Sequence, residues 1–160
     1  MTSKTSTVAK GSRAAASNGK PAKGGGPASG IEVADAIAKA QHGEVSVSPA
    51  KAIEMAGTLF RQGKLAQAEK VCRQVLSARP ANADAHNVLG VTLNAAGKRS
   101  EGIESLKRAA TLAPTAATIH ANLGEILRQD GRLEGAGTAL ERAVEIEPAN
   151  SQALNNLVIL

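Results

Sequence analysis

Two histidines, His86 and His120, stand 34 residues apart in this chain, and a single thiol, Cys72, precedes them. Recurrent imidazoles invite a metal reading, but no cysteine or carboxylate joins them at a zinc-type spacing. Because Cys72 is the only cysteine, no intramolecular disulfide can form, which suits a reducing compartment. Phosphate chemistry fares no better. Gly63-Lys64 and Gly97-Lys98 lack the earlier glycine and the following Ser or Thr of a phosphate-cradling loop. The GGGPASG run at 24–30 follows no strand and lacks the dinucleotide pattern. A nucleophile elbow, an HExxH helix and a matched carboxylate pair are all missing. These residues therefore predict no enzyme, no metal and no cofactor. What remains is the chemistry of recognition, where asparagine is the sharpest signal. A carboxamide both donates and accepts, so it can pair with the backbone of an extended peptide whatever its side chains.

The elements that must position these residues are written as a repeat. Laying Ala83–Ala116 over Ala117–Asn150 gives ten identities without a gap. The pairs are Ala83/Ala117, His86/His120, Leu89/Leu123, Gly90/Gly124, Leu93/Leu127, Gly97/Gly131, Leu106/Leu140, Arg108/Arg142, Ala109/Ala143 and Pro114/Pro148. One period upstream, Pro49–Asn82 carries Ala52, Met55, Ala56, Leu59, Gly63, Ala68, Cys72, Val75 and Pro80 at the equivalent places. Downstream, Ser151–Leu160 begins a fourth copy with Leu154 and Leu157. Apolar positions such as His86, Leu89 and Leu93 fall on one helical face. The glycines at 63, 97 and 131 suit a left-handed turn, and Pro80, Pro114 and Pro148 stop each second helix. Ser48-Pro49 reads as an N-cap followed by proline at the first helical position. Each copy thus predicts two antiparallel helices of about 13 residues.

A 34-residue period with small, aliphatic, glycine and proline residues in this order resembles the tetratricopeptide repeat family over residues 49–160. Aromatics usual in the family are replaced by Leu, Ala, His or Cys. The resemblance implies an all-α solenoid of helical hairpins, with repeats at 49–82, 83–116 and 117–150 and a partial fourth at 151–160. It also implies that His86 and His120 are half-buried packing imidazoles, and Cys72 behaves as a small hydrophobe on the face of Leu106 and Leu140. Phe60 is the sole aromatic, so close packing must run through Ala, Gly and Leu. Modest stability follows, at ~25 cal/mol per Å² of apolar surface. Gly135 and Gly137, inside a second helix, each cost about 1 kcal/mol relative to Ala.

Charge is unevenly placed. Residues 1–30 hold Lys4, Lys10, Arg13, Lys20 and Lys23 with no acid, and the remaining 14 basic side chains (19 minus 5) match 14 acidic ones. This Gly-, Ala-, Ser- and Lys-rich stretch is expected to be a disordered tail acting as a solubilising linker. An electrostatic arm for nucleic acid or anionic lipid is the other reading. No aromatic interleaves its lysines, so no specific nucleic-acid partner is expected. Residues 31–48 are expected to be a short capping helix and linker, with Ile31, Ala34, Ala38 and Gln41 on one stripe. No apolar run is long enough to span a membrane, no secretory h-region follows Lys4, and a Gly-rich start argues against a transit peptide. A cytoplasmic location is expected.

By resemblance to the family, the first helices line a concave groove that binds partners. Its second, fifth, sixth, ninth, twelfth and thirteenth positions place Ile53, Glu54, Phe60 and Arg61 there from the first repeat. Asp84, Asn87, Val88, Val91 and Asn94 come from the second, and Thr118, Asn122, Glu125, Arg128 and Gln129 from the third. Gln152, Asn155, Asn156 and Ile159 come from the fourth. The core of the expected site is Asn87, Val91, Asn94, Asn122, Glu125, Arg128, Asn155 and Asn156. Asn122 and Asn156 share a position, similar to the asparagine ladder of O-linked N-acetylglucosamine transferase repeats. The cationic places of the chaperone-adaptor carboxylate clamp fall on Ile53 and Thr118 or Asn122, so chaperone docking is not expected. The expected function is a non-catalytic scaffold holding an extended peptide or partner protein. The alternative is the N-terminal recognition arm of a larger glycosyltransferase or sulfotransferase, since the closing LNNLVIL leaves apolar surface open and reads as part of something longer. Self-association through that last helix would also cover it.

Overall fold

A computed structural model gives the architecture of residues 47–160, the described part of the chain. The expected tail at 1–30 and the expected helix within 31–42 lie outside the described residues. Seven helices and no strand make up the described part. They are α1 (Pro49–Arg61), α2 (Leu65–Ala78), α3 (Ala83–Ala95), α4 (Arg99–Leu112), α5 (Ala117–Gln129), α6 (Leu133–Ile146) and α7 (Ser151–Val158).

Local chemistry sets these boundaries. Ser48 caps α1 by accepting from the Lys51 N–H at 3.3 Å, with Pro49 at the first helical position. Asn82 and Asn150 do the same for α3 and α7, accepting from Ala85 and Ala153 at 2.8 and 2.9 Å. Each satisfies one of the N–H groups a helix start leaves open. Gly63, Gly97 and Gly131 take φ of 74°, 79° and 79°, where a side chain would be strained. The next residue then closes the turn: Lys98 N donates to Leu93 O at 2.8 Å, and Lys64 and Arg132 repeat the bond.

The interior falls into three clusters, each shared between neighbouring hairpins. Leu59, Val71, Cys72 and Val75 from the first hairpin pack with Ala85, Leu89 and Leu93 from the second. Ile103 and Leu106 pack with Leu123, Ile126 and Leu127, and Leu140 and Ala143 pack with Ala153. Cys72, Leu106 and Leu140 share one register and are all fully buried. Within a hairpin the helices approach through glycine. A Cβ on Gly90 would meet Leu106 Cγ at 2.6 Å, and one on Gly124 would meet Leu140 Cγ at 2.5 Å. Neither contact is sterically allowed, so these two glycines fix how close the paired helices stand.

Candidate functional site

The backbones of the first helices of consecutive hairpins come close, α1 to α3, α3 to α5 and α5 to α7, whereas those of the second helices do not, and α2 and α4 are bridged at long range by the Arg73–Glu101 ion pair. The backbone of each second helix lies close to its own partner and to the next first helix. A stack whose members are close on one side and splayed on the other must curve, and its concave side is lined by α1, α3, α5 and α7.

A line of carboxamides crosses that side. Asn122 Nδ2 donates to Asn87 Oδ1 at 3.0 Å, and Gln152 Nε2 donates to Asn122 Oδ1 at 3.1 Å. Three helices are thereby joined head to tail. An amide has two N–H donors and two lone pairs on its oxygen, so Asn122 keeps one of each for a ligand. Gln152, not Asn156, continues the line, while Asn156 is half-buried and Asn155 exposed on α7.

A second polar group lies toward the other end of α3 and α5. Asn94 Nδ2 donates to Gln129 Oε1 at 3.0 Å, and Gln129 Nε2 donates to Glu125 Oε1 at 2.6 Å. Arg128 grips Glu125 through Nε and Nη2, each at 3.0 Å. That bidentate bond, opposed by partial burial, holds the Glu125 carboxyl below its ordinary range. The charge of Arg128 is therefore already matched inside the groove. Arg99, a residue that periodicity alone did not suggest, donates to Asn94 Oδ1 at 3.3 Å and to the Gln129 carbonyl at 3.2 Å. Val91 is half-buried against the interior that Ile103 and Leu106 build, so it forms a wall of the groove and is not a free contact. Ile53, Phe60 and Val88 pack in the same way against the first interior cluster.

The residues that first suggested chemistry serve packing. His86 is 7% exposed, and its Nε2 meets the Pro80 carbonyl at 2.9 Å. His120 repeats the bond to Pro114 at 3.1 Å. Each imidazole ties a first helix to the proline loop before it. Burial pushes the Cys72 thiol up to about 12, with the Glu69 charge adding to the effect. Among the described residues no cluster of three or more His, Cys, Asp or Glu could hold a metal ion. None of the described helices is long and apolar enough to cross a membrane.

The family model described as tetratricopeptide repeat matches residues 53–117 and 95–152. The O-GlcNAc transferase of Thermobaculum terrenum aligns with a TM-score of 0.65 at 29% identity, over 72% of this chain and 23% of that one. This chain thus spans about a quarter of that enzyme. The Yersinia enterocolitica type III secretion chaperone SycD, in complex with a peptide of the translocator YopD, aligns at 0.61 and 21% identity, over 68% and 88% of the two chains. The second repeat domain of human RPAP3, in complex with an HSP70 peptide, aligns at 0.62 and 19%, over 81% and 96%. No curated protein matches the sequence significantly.

Proposed function

The chain belongs to the tetratricopeptide repeat family, and on that premise we propose that it is a non-catalytic scaffold holding an extended peptide or a partner protein's segment in its concave groove. The observation that carries this reading is the line Asn87–Asn122–Gln152, which crosses three first helices and keeps donors and acceptors unspent. An extended peptide presents backbone N–H and C=O groups at regular spacing, and amides fixed to one another are already ordered before it arrives. That lowers the entropy lost on binding. Val91 and Val88 supply half-buried apolar walls beside the line, and Glu125–Arg128 adds a neutralised polar rim. The peptide-bound state of SycD and RPAP3 shows what this fold does in those proteins, and supports the same use here. Arg128 is paired with Glu125, so its charge is not free for a C-terminal carboxylate.

Selection from a random linear-peptide library against the full chain tests this. Peptides that bind the wild type should lose about tenfold in affinity to the Asn87→Ala/Asn122→Ala/Gln152→Ala variant, whose helix content stays unchanged. Selected peptides that bind this variant as well as the wild type would sink the reading.

A second reading rests on the 29% identity to a transferase of which the chain spans only 23%. In it, these repeats are the recognition arm of a larger glycosyltransferase or sulfotransferase. The mass of the native product, detected in its own cells through a tag at Met1, decides between the two. A product much heavier than 160 residues favours the arm, and one of that size favours the scaffold.

A further inference from the structure

The second polar group of the groove, the one built around Asn94 and Gln129, ends in a charge that no described residue matches. Arg99 donates from Nε to Asn94 Oδ1 at 3.3 Å and from Nη1 to the Gln129 carbonyl at 3.2 Å. Asn94 is bonded in turn to Gln129, and Gln129 to Glu125. The guanidinium is therefore held across α3 and α5, on the groove side, by groups that are themselves fixed. The other charges in this network or next to it in sequence are matched. Glu125 is paired with Arg128, Asp130 with Arg132 at 2.9 Å, and Lys98 and Arg73 with Glu69 and Glu101. Arg99 has no carboxylate within ion-pair distance among the described residues. The carbonyl end of α5 orients the cation without neutralising it, and Nη2 keeps both of its N–H groups unspent.

Packing does not ask for an arginine here. The same place one period away holds Leu65 and Leu133, and an uncharged amide would serve the two hydrogen bonds. What the charge adds is attraction for an anion. The wider field has the same sign at this point. Residues 49–116 carry ten basic and five acidic side chains, whereas residues 117–160 carry three and six, so an acidic group is drawn toward the first two hairpins. Resting on the reading that the groove holds an extended segment, we propose that this segment carries an acidic side chain, Asp or Glu, seated on Arg99. Its carboxylate accepts from Arg99 Nη2, a charge-assisted bond to a cation already in place. Asn94 and Asn87 stand about 10 Å apart along α3, a distance that an extended segment crosses in about three residues. One segment therefore reaches both Arg99 and the amide line. The amides hold its backbone, and Arg99 selects its sequence.

The test uses three pools of short linear peptides, randomised over uncharged residues and carrying one Glu, one Gln or one Lys at the centre. Their ends are acetylated and amidated, so the central side chain is the only charge. Each pool is titrated against the full chain and against its Arg99→Gln, Arg99→Glu and Asn87→Ala/Asn122→Ala/Gln152→Ala variants. The Glu pool should bind wild type about fivefold more tightly than the Gln pool, and Arg99→Gln should remove that difference. Arg99→Glu should reverse the order and make the Lys pool the tightest. Weakening of all three pools alike would mean that Arg99 only holds Asn94 and Gln129 in place, and would overturn the proposal. Arg108→Glu makes the same charge change on the same helix outside the groove, and should leave the order as in wild type. Arg99 and Arg108 are exposed, so these variants should keep wild-type helix content. Pools that need the amide line yet bind regardless of the central charge overturn the proposal and leave the groove reading standing. Binding that survives loss of the amide line overturns both.

Discussion

A single methyl group decides whether α3 and α4 can meet. Gly90→Ala places a carbon 2.6 Å from Leu106 Cγ and 3.0 Å from the Gly102 carbonyl, and backbone cannot step aside cheaply. It should destabilise by about 1–3 kcal/mol in urea unfolding. Gly135→Ala should do the reverse. Its added carbon meets only Leu127 Cδ1, at an ordinary 3.5 Å, and the helix gains about 1 kcal/mol of propensity. Equal effects of the two would refute the close-approach argument. Cys72 yields another residue-scale prediction. With its thiol raised to about 12, the thiolate is scarce at pH 8, so a disulfide reagent should modify it only as fast as the chain unfolds. Immediate modification of the native protein would contradict its burial. The packing of both histidines and the cysteine is legible in the sequence, because a repeated position inherits the packing of its copies. The hydrogen-bond partners of Asn122 are not legible in the repeat. Its hydrogen bonds reach 35 residues back and 30 residues forward, neither of which is the 34-residue period. Periodicity finds equivalent positions, whereas contact across two crossing helices depends on how they are staggered.

Helix ends were legible wherever a residue could do only one thing there. Proline and positive-φ glycine gave the stops, and Ser48 gave one start. The caps Asn82 and Asn150 carry the same signal, an Asn two residues after proline, which the stronger proline stop overshadows. Asn82→Ala should cost about 1 kcal/mol, measured by thermal unfolding, and α5 shows the uncapped form of the same start at Ala116. Between elements, Glu69 joins α2 to the α4 entry by accepting from Arg73 at 2.9 Å and from Lys98 at 3.0 Å. Partial burial pushes its carboxyl up, and the bonds from Lys98 and Arg73 outweigh that and hold it low. Glu125 is held low by Arg128 in the same sense. A carboxylate lowered by folding adds stability above its unfolded value and loses it as pH falls through the folded one. The stability gap between wild type and Glu125→Gln should therefore narrow below about pH 4.5 and stay constant above it. A gap independent of acidification would mean that the pair contributes nothing.

Across the whole molecule, the curve follows from which helices lie close. The first helices lie close to one another in succession, while the backbones of the second helices stand farther apart. Apolar surface gathers at α7, where Leu154, Val158, Ile159 and Leu160 are exposed, and Val158 stands at the position of Gly90 and Gly124. Any helix that covers α7 must pack farther away than α4 and α6 pack on their own partners. The concave face brings the amide line, the valine walls and the Glu125–Arg128 pair onto one surface, and the account stands on that surface being where a peptide lies. The most direct measurement follows the side-chain NH₂ signals of Asn87, Asn122 and Gln152 while a library-selected peptide is titrated into the full chain. Saturable movement of all three, at the concentration that moves the peptide's own backbone signals, is predicted. Binding that leaves the three signals in place would contradict the account and put the partner on another face.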